Sequence, residues 1–362
     1  MTKTPHHPAK LLNTGLILDY NKFAKELADA QYSLGLLQGS QKKLQNSALL
    51  ISPLTAKEAA VSSSIEGTQS TVSDIFLYEA GGQPRHSDAI QVANYRMAMN
   101  FAIEELRRGR QISAHLIKTL HQMLLKNVRH KGMLGDFRIK PVWIAEKIGD
   151  PIERAIYIPP EYHFVNDYVE NLLSYIENGK ENTLVKAGIA HYQFEAVHPF
   201  EDGNGRIGRL LIPLVIYYRR KLDLPILYLS GYFDTHRDEY LNALHRVDET
   251  GNYEIWLAFF FKSVAEQLKE TQKLVENIYS LYDNIRDKFG TGKSPYLLPF
   301  VEALFKVPIF TIPQIKNSVK ASSNITLKRL IKFFQEKNLI VELPVRRNRF
   351  KLFKFKPLLD LL

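Results

Sequence analysis

The sequence predicts a mainly α-helical protein with one short β-hairpin in its middle and a basic winged helix-turn-helix at its end. Three observations predict it. Apolar residues recur at three- and four-residue spacing from Asn13 to about Thr291. A single interruption, "VWIAEKIGDPIERAIYIPP", sets two β-prone runs around a polar centre. After Lys293 come a helix, a short turn, a basic helix and a basic strand pair, in that order. At 362 residues and 45% hydrophobic content the chain is long enough for two or three cored domains.

Taken in order, "TAKEAAVSSSIEGTQST" carries Thr55 and Glu58 at capping-box spacing, which predicts a helix starting near Ala56, and Gly67 suits the position just past its end. Glu66 then falls at the helix C-terminus, where the dipole disfavours a carboxylate unless a cation is near. In the alternative, Ser63 and Glu66 open a new helix, which would put Gly67 in its first turn. Leu116, Leu120, Met123 and Leu124 mark a further amphipathic helix. The hairpin is expected at Val142–Ala145 and Ala155–Ile158, turning at Gly149, Asp150 and Pro151 and closed off by Pro159 and Pro160. A long amphipathic stretch, Tyr253–Phe289, ends in "GTGKSP", read as a linker. Then follow an apolar helix (Tyr296–Phe305), "TIPQIKNSV", the turn "KASSN", the basic helix "ITLKRLIKFFQEKNLI" and strands around "PVRRNRF". The expected domains are 1–110, a helical region containing the helix at about 55–67; 111–290, the core; and 293–362, the winged helix.

Charge separates the last segment from the rest. The net charge is +10, and residues 293–362 hold 14 Lys and Arg against 4 Asp and Glu, so this segment carries the whole excess. Lys328, Arg329 and Lys332 are expected to reach phosphates or bases of DNA, with Arg346, Arg347 and Arg349 in the wing. The plainer reading is a basic protein-docking domain. Cysteine is absent, which excludes disulfides and cysteine-ligated zinc. The N-terminus has no apolar run behind its charges, and "LLIPLVIYY" at Leu210–Tyr218 is far short of a membrane span, so a soluble cytoplasmic protein is expected. "GTGKS" fails as a phosphate-binding loop because Asp287 stands where its first glycine is required and Pro295 follows.

The densest stretch is "HPFEDGNGRIGRLL", His198–Leu211. Gly203 and Gly205 allow a tight turn and close approach to a ligand, and the apolar run behind them reads as a buried helix whose N-terminus faces the loop. Arg206 and Arg209 add two cations on one face, making a polyphosphate cradle. Asp202 is suited to Mg²⁺, which takes one or two carboxylates plus phosphate oxygens. His198 can accept a proton from an attacking hydroxyl. Singly, each residue has an ordinary structural explanation, such as surface ion pairing for the arginines; together and in this order they point to phosphate chemistry.

"HPFEDGNGRIGR" resembles the signature of the Fic family, His-Pro-Phe-x-(Asp or Glu)-Gly-Asn-Gly-Arg-x-x-Arg, at every specified position. "GDFR" at Gly135–Arg138, the hairpin and "YFDTHRDEYLNAL" resemble the family's neighbouring segments, the hairpin its flap. The resemblance implies a Fic-type helical core and protein AMPylation: transfer of AMP from Mg·ATP to a Tyr, Ser or Thr hydroxyl of a target protein or of the chain itself. It implies His198 as general base, Asp202 as Mg²⁺ ligand and Asn204 as a phosphate contact. Arg206 and Arg209 would hold the β- and γ-phosphates, backbone at Gly203 and Gly205 would complete the anion hole, and Phe200 would anchor the loop. "SSSIEG", Ser62–Gly67, resembles the family's inhibitory motif, which implies that Glu66 pairs with Arg209 and leaves the γ-phosphate unclamped. Rival readings are removal of AMP at the same site, with Glu66 positioning water, and a DNA-binding regulator whose core only senses nucleotide.

Overall fold

A computed structural model describes all residues except 1–3, 13–15, 43–47, 146, 148, 220–225, 290–293, 320–322 and 348–349. Most of the expected linker, most of the "KASSN" turn, and Arg349 therefore lie outside the described residues. In chain order the elements are α1 (Ala24–Lys42), α2 (Ala48–Ser64), α3 (Val72–Glu79), α4 (Ala89–Arg107), α5 (Ala114–Leu124), β1 (Ile144–Ala145), β2 (Ala155–Tyr157), α6 (Val165–Asn178), α7 (Thr183–Val197) and α8 (Asn204–Tyr218). They continue with α9 (Ser230–Thr235), α10 (Arg237–Thr250), α11 (Tyr253–Phe289), α12 (Leu297–Lys306), β3 (Ile309–Thr311), α13 (Ile312–Val319), α14 (Asn324–Glu336), β4 (Ile340–Arg347), β5 (Phe350–Phe355) and α15 (Lys356–Leu359). The protein is mainly helical, as its sequence predicts. The chain divides into two compact units, each built from two separate stretches.

The first unit comprises residues 1–39 and 97–268. At its centre is α7, buried along nearly its whole length and flanked by α6 and α8. Its sequence, "TLVKAGIAHYQFEAV", has no polar face, as a helix enclosed on all sides requires. Gly188 lets the rings of α11 close in: a β-carbon there would lie 2.9 Å from Phe260, and the Trp256 indole donates to the Gly188 carbonyl at 2.8 Å. The buried Lys186 donates to the carbonyls of Ile176 and Gly179, where α6 ends and its dipole favours a cation. β1 and β2 pair antiparallel, Ile144 opposite Tyr157 and Ala145 opposite Ala155, which is the expected hairpin shortened at its open end.

The second unit comprises residues 40–96 and 269–362. Ala56, Phe76 and Ala80 from α2, α3 and the residue after it share a core with Ile309 of β3 and Leu352 of β5. Ser52 Oγ donates to the Lys306 carbonyl at 2.6 Å, tying α2 to the end of α12. Arg96 adds a buried polar link: it pairs with Glu79, donates to Ser52 Oγ at 2.7 Å and lies over the Phe76 ring. β3, β5 and β4 form an antiparallel sheet in that order, and β3 is a strand the sequence did not announce.

α2 does not begin near Ala56: it starts at Ala48, and Thr55 lies in its interior with its hydroxyl donating back to the Ile51 carbonyl at 2.7 Å. Glu58 is buried and accepts from Tyr95 Oη, so it caps nothing. The reason is burial: Leu49, Leu50 and Leu54 carry the helix's apolar stripe upstream, and packing outweighs the proline at position 53. The capping box in this region is Thr71 with Asp74, which opens α3. The far end of α2 agrees with its sequence: the helix stops at Ser64, and Gly67 takes φ +91° in the following turn. No helix opens at Ser63.

Candidate active site

The loop from His198 to Gly203 joins α7 to α8 in the first unit. His198 ends α7 in a left-handed conformation, φ 49° and ψ 61°. For a residue with a β-carbon that conformation costs on the order of 1 kcal/mol or more, so the surroundings must enforce it. They do so through the backbone. Five consecutive carbonyls each accept a hydrogen bond: Ala196 from Tyr157 Oη (2.7 Å), Val197 from Arg138 Nη2 (3.3 Å), His198 from Arg138 Nε (2.8 Å), Pro199 from the Arg138 N–H (2.9 Å) and Phe200 from Asn204 Nδ2 (2.8 Å). Arg138 is itself buried, and burial pushes its guanidinium down to about 10, still charged at neutral pH.

His121 fixes the other half of the loop. The Gly135 N–H donates to its Nδ1 at 3.0 Å, so Nδ1 is an acceptor and Nε2 carries the proton that goes to the Asp202 carbonyl at 3.1 Å. Burial pushes the ring's pKa down to about 4, which keeps this neutral form at physiological pH. The same ring stacks on Phe200, centroids 3.8 Å apart and planes 2° from parallel. Phe200 is fully buried.

Gly203 turns the chain into α8 with φ +77°, and a β-carbon there would press to 3.2 Å from Leu124. α8 then begins at Asn204, so the N–H groups of its first turn, from Asn204, Gly205 and Arg206, lie next to the loop carrying His198. Asn204 is buried and its side chain both accepts from the Phe200 N–H and donates to the Phe200 carbonyl. Its amide closes the loop, which leaves its main-chain N–H for any phosphate contact. Arg206 and Arg209 follow on α8 and are 5% and 4% exposed, which removes the surface ion-pair explanation. Arg206 Nη2 stands 3.5 Å from Asp202 Oδ1.

The site thus gathers His198, Asp202, Gly203, Asn204, Gly205, Arg206 and Arg209 at one end of α8. Ser62, Glu66 and Gly67 lie in the second unit, Ser62 buried near the end of α2 and the other two in the turn after it. Asp202 offers one half-exposed carboxylate, and no group of three or more His, Asp or Glu side chains forms a metal cage among the described residues. That donor set fits a Mg²⁺ whose remaining ligands are phosphate oxygens and water. Sequence reasoning gave no role to His121 or Tyr157 and only a likeness to Arg138; each acts on a carbonyl far along the chain. The signal for His121 was a histidine inside the apolar stripe of α5, beside Leu120 and Leu124.

Comparison with known proteins gives the family of the chain. Two profiles of one family match: "Fic/DOC family N-terminal" over residues 24–104 and "Fic/DOC family" over residues 111–216. The chain belongs to the Fic/DOC family. Among curated relatives, a probable protein adenylyltransferase of Aquifex aeolicus is 30% identical over 96 residues, 26% of this chain and 28% of that one. Protein adenylyltransferase Fic of Drosophila mojavensis is 25% identical over 252 residues, 58% of this chain and 48% of that one. The chain therefore spans half or less of the length of these relatives. A solved Fic family protein from Desulfovibrio desulfuricans G20 shares the fold over 98% of both chains, with a TM-score of 0.58 at 16% identity. Residues 134–508 of Fic-1 from C. elegans match with a TM-score of 0.52 at 20% identity, covering 70% of this chain and 73% of that one.

Proposed function

We propose that the protein is an adenylyltransferase that moves AMP from ATP to a protein hydroxyl, on a target or on itself. The observation that carries this reading is the loop itself: a histidine held in a left-handed turn by five carbonyl bonds, directly before a helix N-terminus with two buried arginines. In the reaction, His198 takes the proton of the attacking hydroxyl, the oxygen bonds to the α-phosphorus, and the bond to the β-phosphate oxygen breaks to release pyrophosphate. The first-turn N–H groups of α8, with Arg206 and Arg209, hold the phosphates and neutralise the charge on the leaving group. Asp202 would hold Mg²⁺, which supplies charge neutralisation between phosphates when bound. ATP as substrate supports a cytoplasmic setting; no helix of the described residues is long and apolar enough to cross a membrane.

The inhibitory reading belongs to the same proposal: Glu66 pairs with Arg209 and keeps the γ-phosphate from its clamp. So does the division into 1–110, 111–290 and 293–362. The order α12, β3, α13, α14, β4, β5 supports reading the last part as a winged helix-turn-helix.

The test is incubation with ATP labelled at the α-phosphate, alone and with a lysate. A labelled protein band is expected with wild type or Glu66→Gly. His198→Ala should give no band while ATP binding by calorimetry persists, because the base acts on the hydroxyl and not on the phosphates. Label transfer by His198→Ala at the wild-type rate would remove His198 from this role.

A further inference from the structure

We propose that the exposed face of α14 binds duplex DNA and that this binding acts on α2 and the Ser62–Gly67 segment, because the same compact unit contains both. The regulatory half rests on the adenylyl-transfer reading above.

On α14, Leu327, Leu330, Ile331 and Phe334 are buried, while Ile325, Lys328, Arg329 and Lys332 share the opposite face and are exposed. Their spacing of three and four residues makes one cationic stripe. Lys328, Arg329 and Lys332 form no ion pair among the described residues. Glu336, exposed at the end of α14 four residues after Lys332, is the acid next to this stripe, while Glu342 pairs with Lys351 and Asp360 with Lys356. An α-helix fits the major groove, and an exposed arginine beside lysines supplies both a base-edge donor and phosphate contacts. The stripe lies in the N-terminal part of α14, the part of a recognition helix that reaches base edges.

The wing is not free: Arg347, at the end of β4, donates to the Ala80 carbonyl just past α3, and its side chain lies so close over Gly81 that a β-carbon there would collide with it. Leu352 on β5 packs with Ala56 on α2, and Ser52 on α2 is bonded to the end of α12. A ligand bridging α14 and the wing therefore loads the elements that hold α2, and Ser62–Gly67 completes and follows that helix.

The experiment uses the full chain and a labelled mixed-sequence duplex. Anisotropy should show binding that weakens steeply with salt, and the exposed-face variant Lys328→Glu/Arg329→Glu/Lys332→Glu should lose roughly tenfold or more in affinity at unchanged Tm. Hydrogen exchange at saturating duplex should change across residues 48–67 in wild type and not in that variant. AMP transfer should change about fivefold or more on adding duplex to wild type, and less in Glu66→Gly. No binding at low salt, equal binding by the variant, or unchanged exchange across 48–67 with duplex bound would each overturn the proposal. If Glu66→Gly transfers no AMP under any condition, the adenylyl-transfer reading fails on its own, and binding and exchange still decide the DNA coupling.

Discussion

Arg138 shows how one buried side chain can govern another residue's backbone. Its guanidinium and N–H reach the carbonyls of Val197, His198, Pro199 and Pro160, so the left-handed turn at His198 is held from outside the loop. Replacing it with Gln strands several of these buried carbonyls, each worth about 1–3 kcal/mol. Stability should fall by about 3 kcal/mol, and kcat for AMP transfer should fall about tenfold or more with little change in ATP affinity. Arg138→Lys, which keeps the charge but not the fork, should recover part of the stability and less of kcat; urea titration with steady-state kinetics checks both. A second residue carries a pH signature. His191, buried among Tyr240, Phe233 and Trp256 and bonded to Tyr240 Oη, is pushed down by burial to about 3. Its folded pKa lies below the unfolded value of 6.5, so the unfolded chain binds the proton more readily and stability drains away as pH falls from 6.5. Between pH 6.5 and 4 the loss is about 3 kcal/mol, at about 1.4 kcal/mol per unit. Tm measured across that range should fall less steeply in His191→Gln than in wild type, whatever the variant's absolute Tm.

At the scale of elements, α2 and α8 present the two ends that the inhibitory reading joins: the turn after α2 carries Glu66, and the first turns of α8 carry Arg209. If they pair, Glu66→Gly frees Arg209 for phosphate. AMP transfer should then rise about tenfold or more, since each 1.4 kcal/mol of released interaction is a factor of ten. Adding Arg209→Ala should cancel the rise, and equal activity of the single and double variants in the labelled-ATP assay would break the pairing argument. The elements also divide by how much of them the sequence disclosed. α11 has the span its sequence predicts, because one unbroken amphipathic stripe needs no partner to be recognised. The loop residues from His198 to Arg209 were visible because they are contiguous. β3 was not visible: Ile309–Thr311 is a strand only through pairing with Leu352–Lys354, forty residues later. The start of α2 is hidden for a related reason, since its upstream apolar residues suit loop or helix equally until the core they enter is known. The roles of Arg138 and His121 are not legible in the sequence because their chemistry is directed at carbonyls, which a sequence does not display.

For the molecule as a whole, the second unit is discontinuous: α2 and α3 share a core with β3 and β5. Removing residues 297–362 should therefore not leave a tidy truncated protein. Ala56, Phe76 and Ala80 would lose Ile309 and Leu352, and the shortened chain should bind ANS and be cut by protease between residues 48 and 82 while residues 97–268 resist. Equal resistance of both regions would mean that α2 and α3 stand without the C-terminal elements. The same arrangement orders events on the ribosome. Every residue of the first unit has been made once Leu268 is added, so the loop bearing His198 can form while the C-terminal partners of α2 have yet to be made. At roughly 5–20 residues per second, Leu352 follows Phe76 by about 15–55 s. For that interval the segment leading to Glu66 is present without its permanent neighbours, so if Glu66 restrains the site, a newly made chain passes through a stage with the His198 loop built and that restraint unanchored.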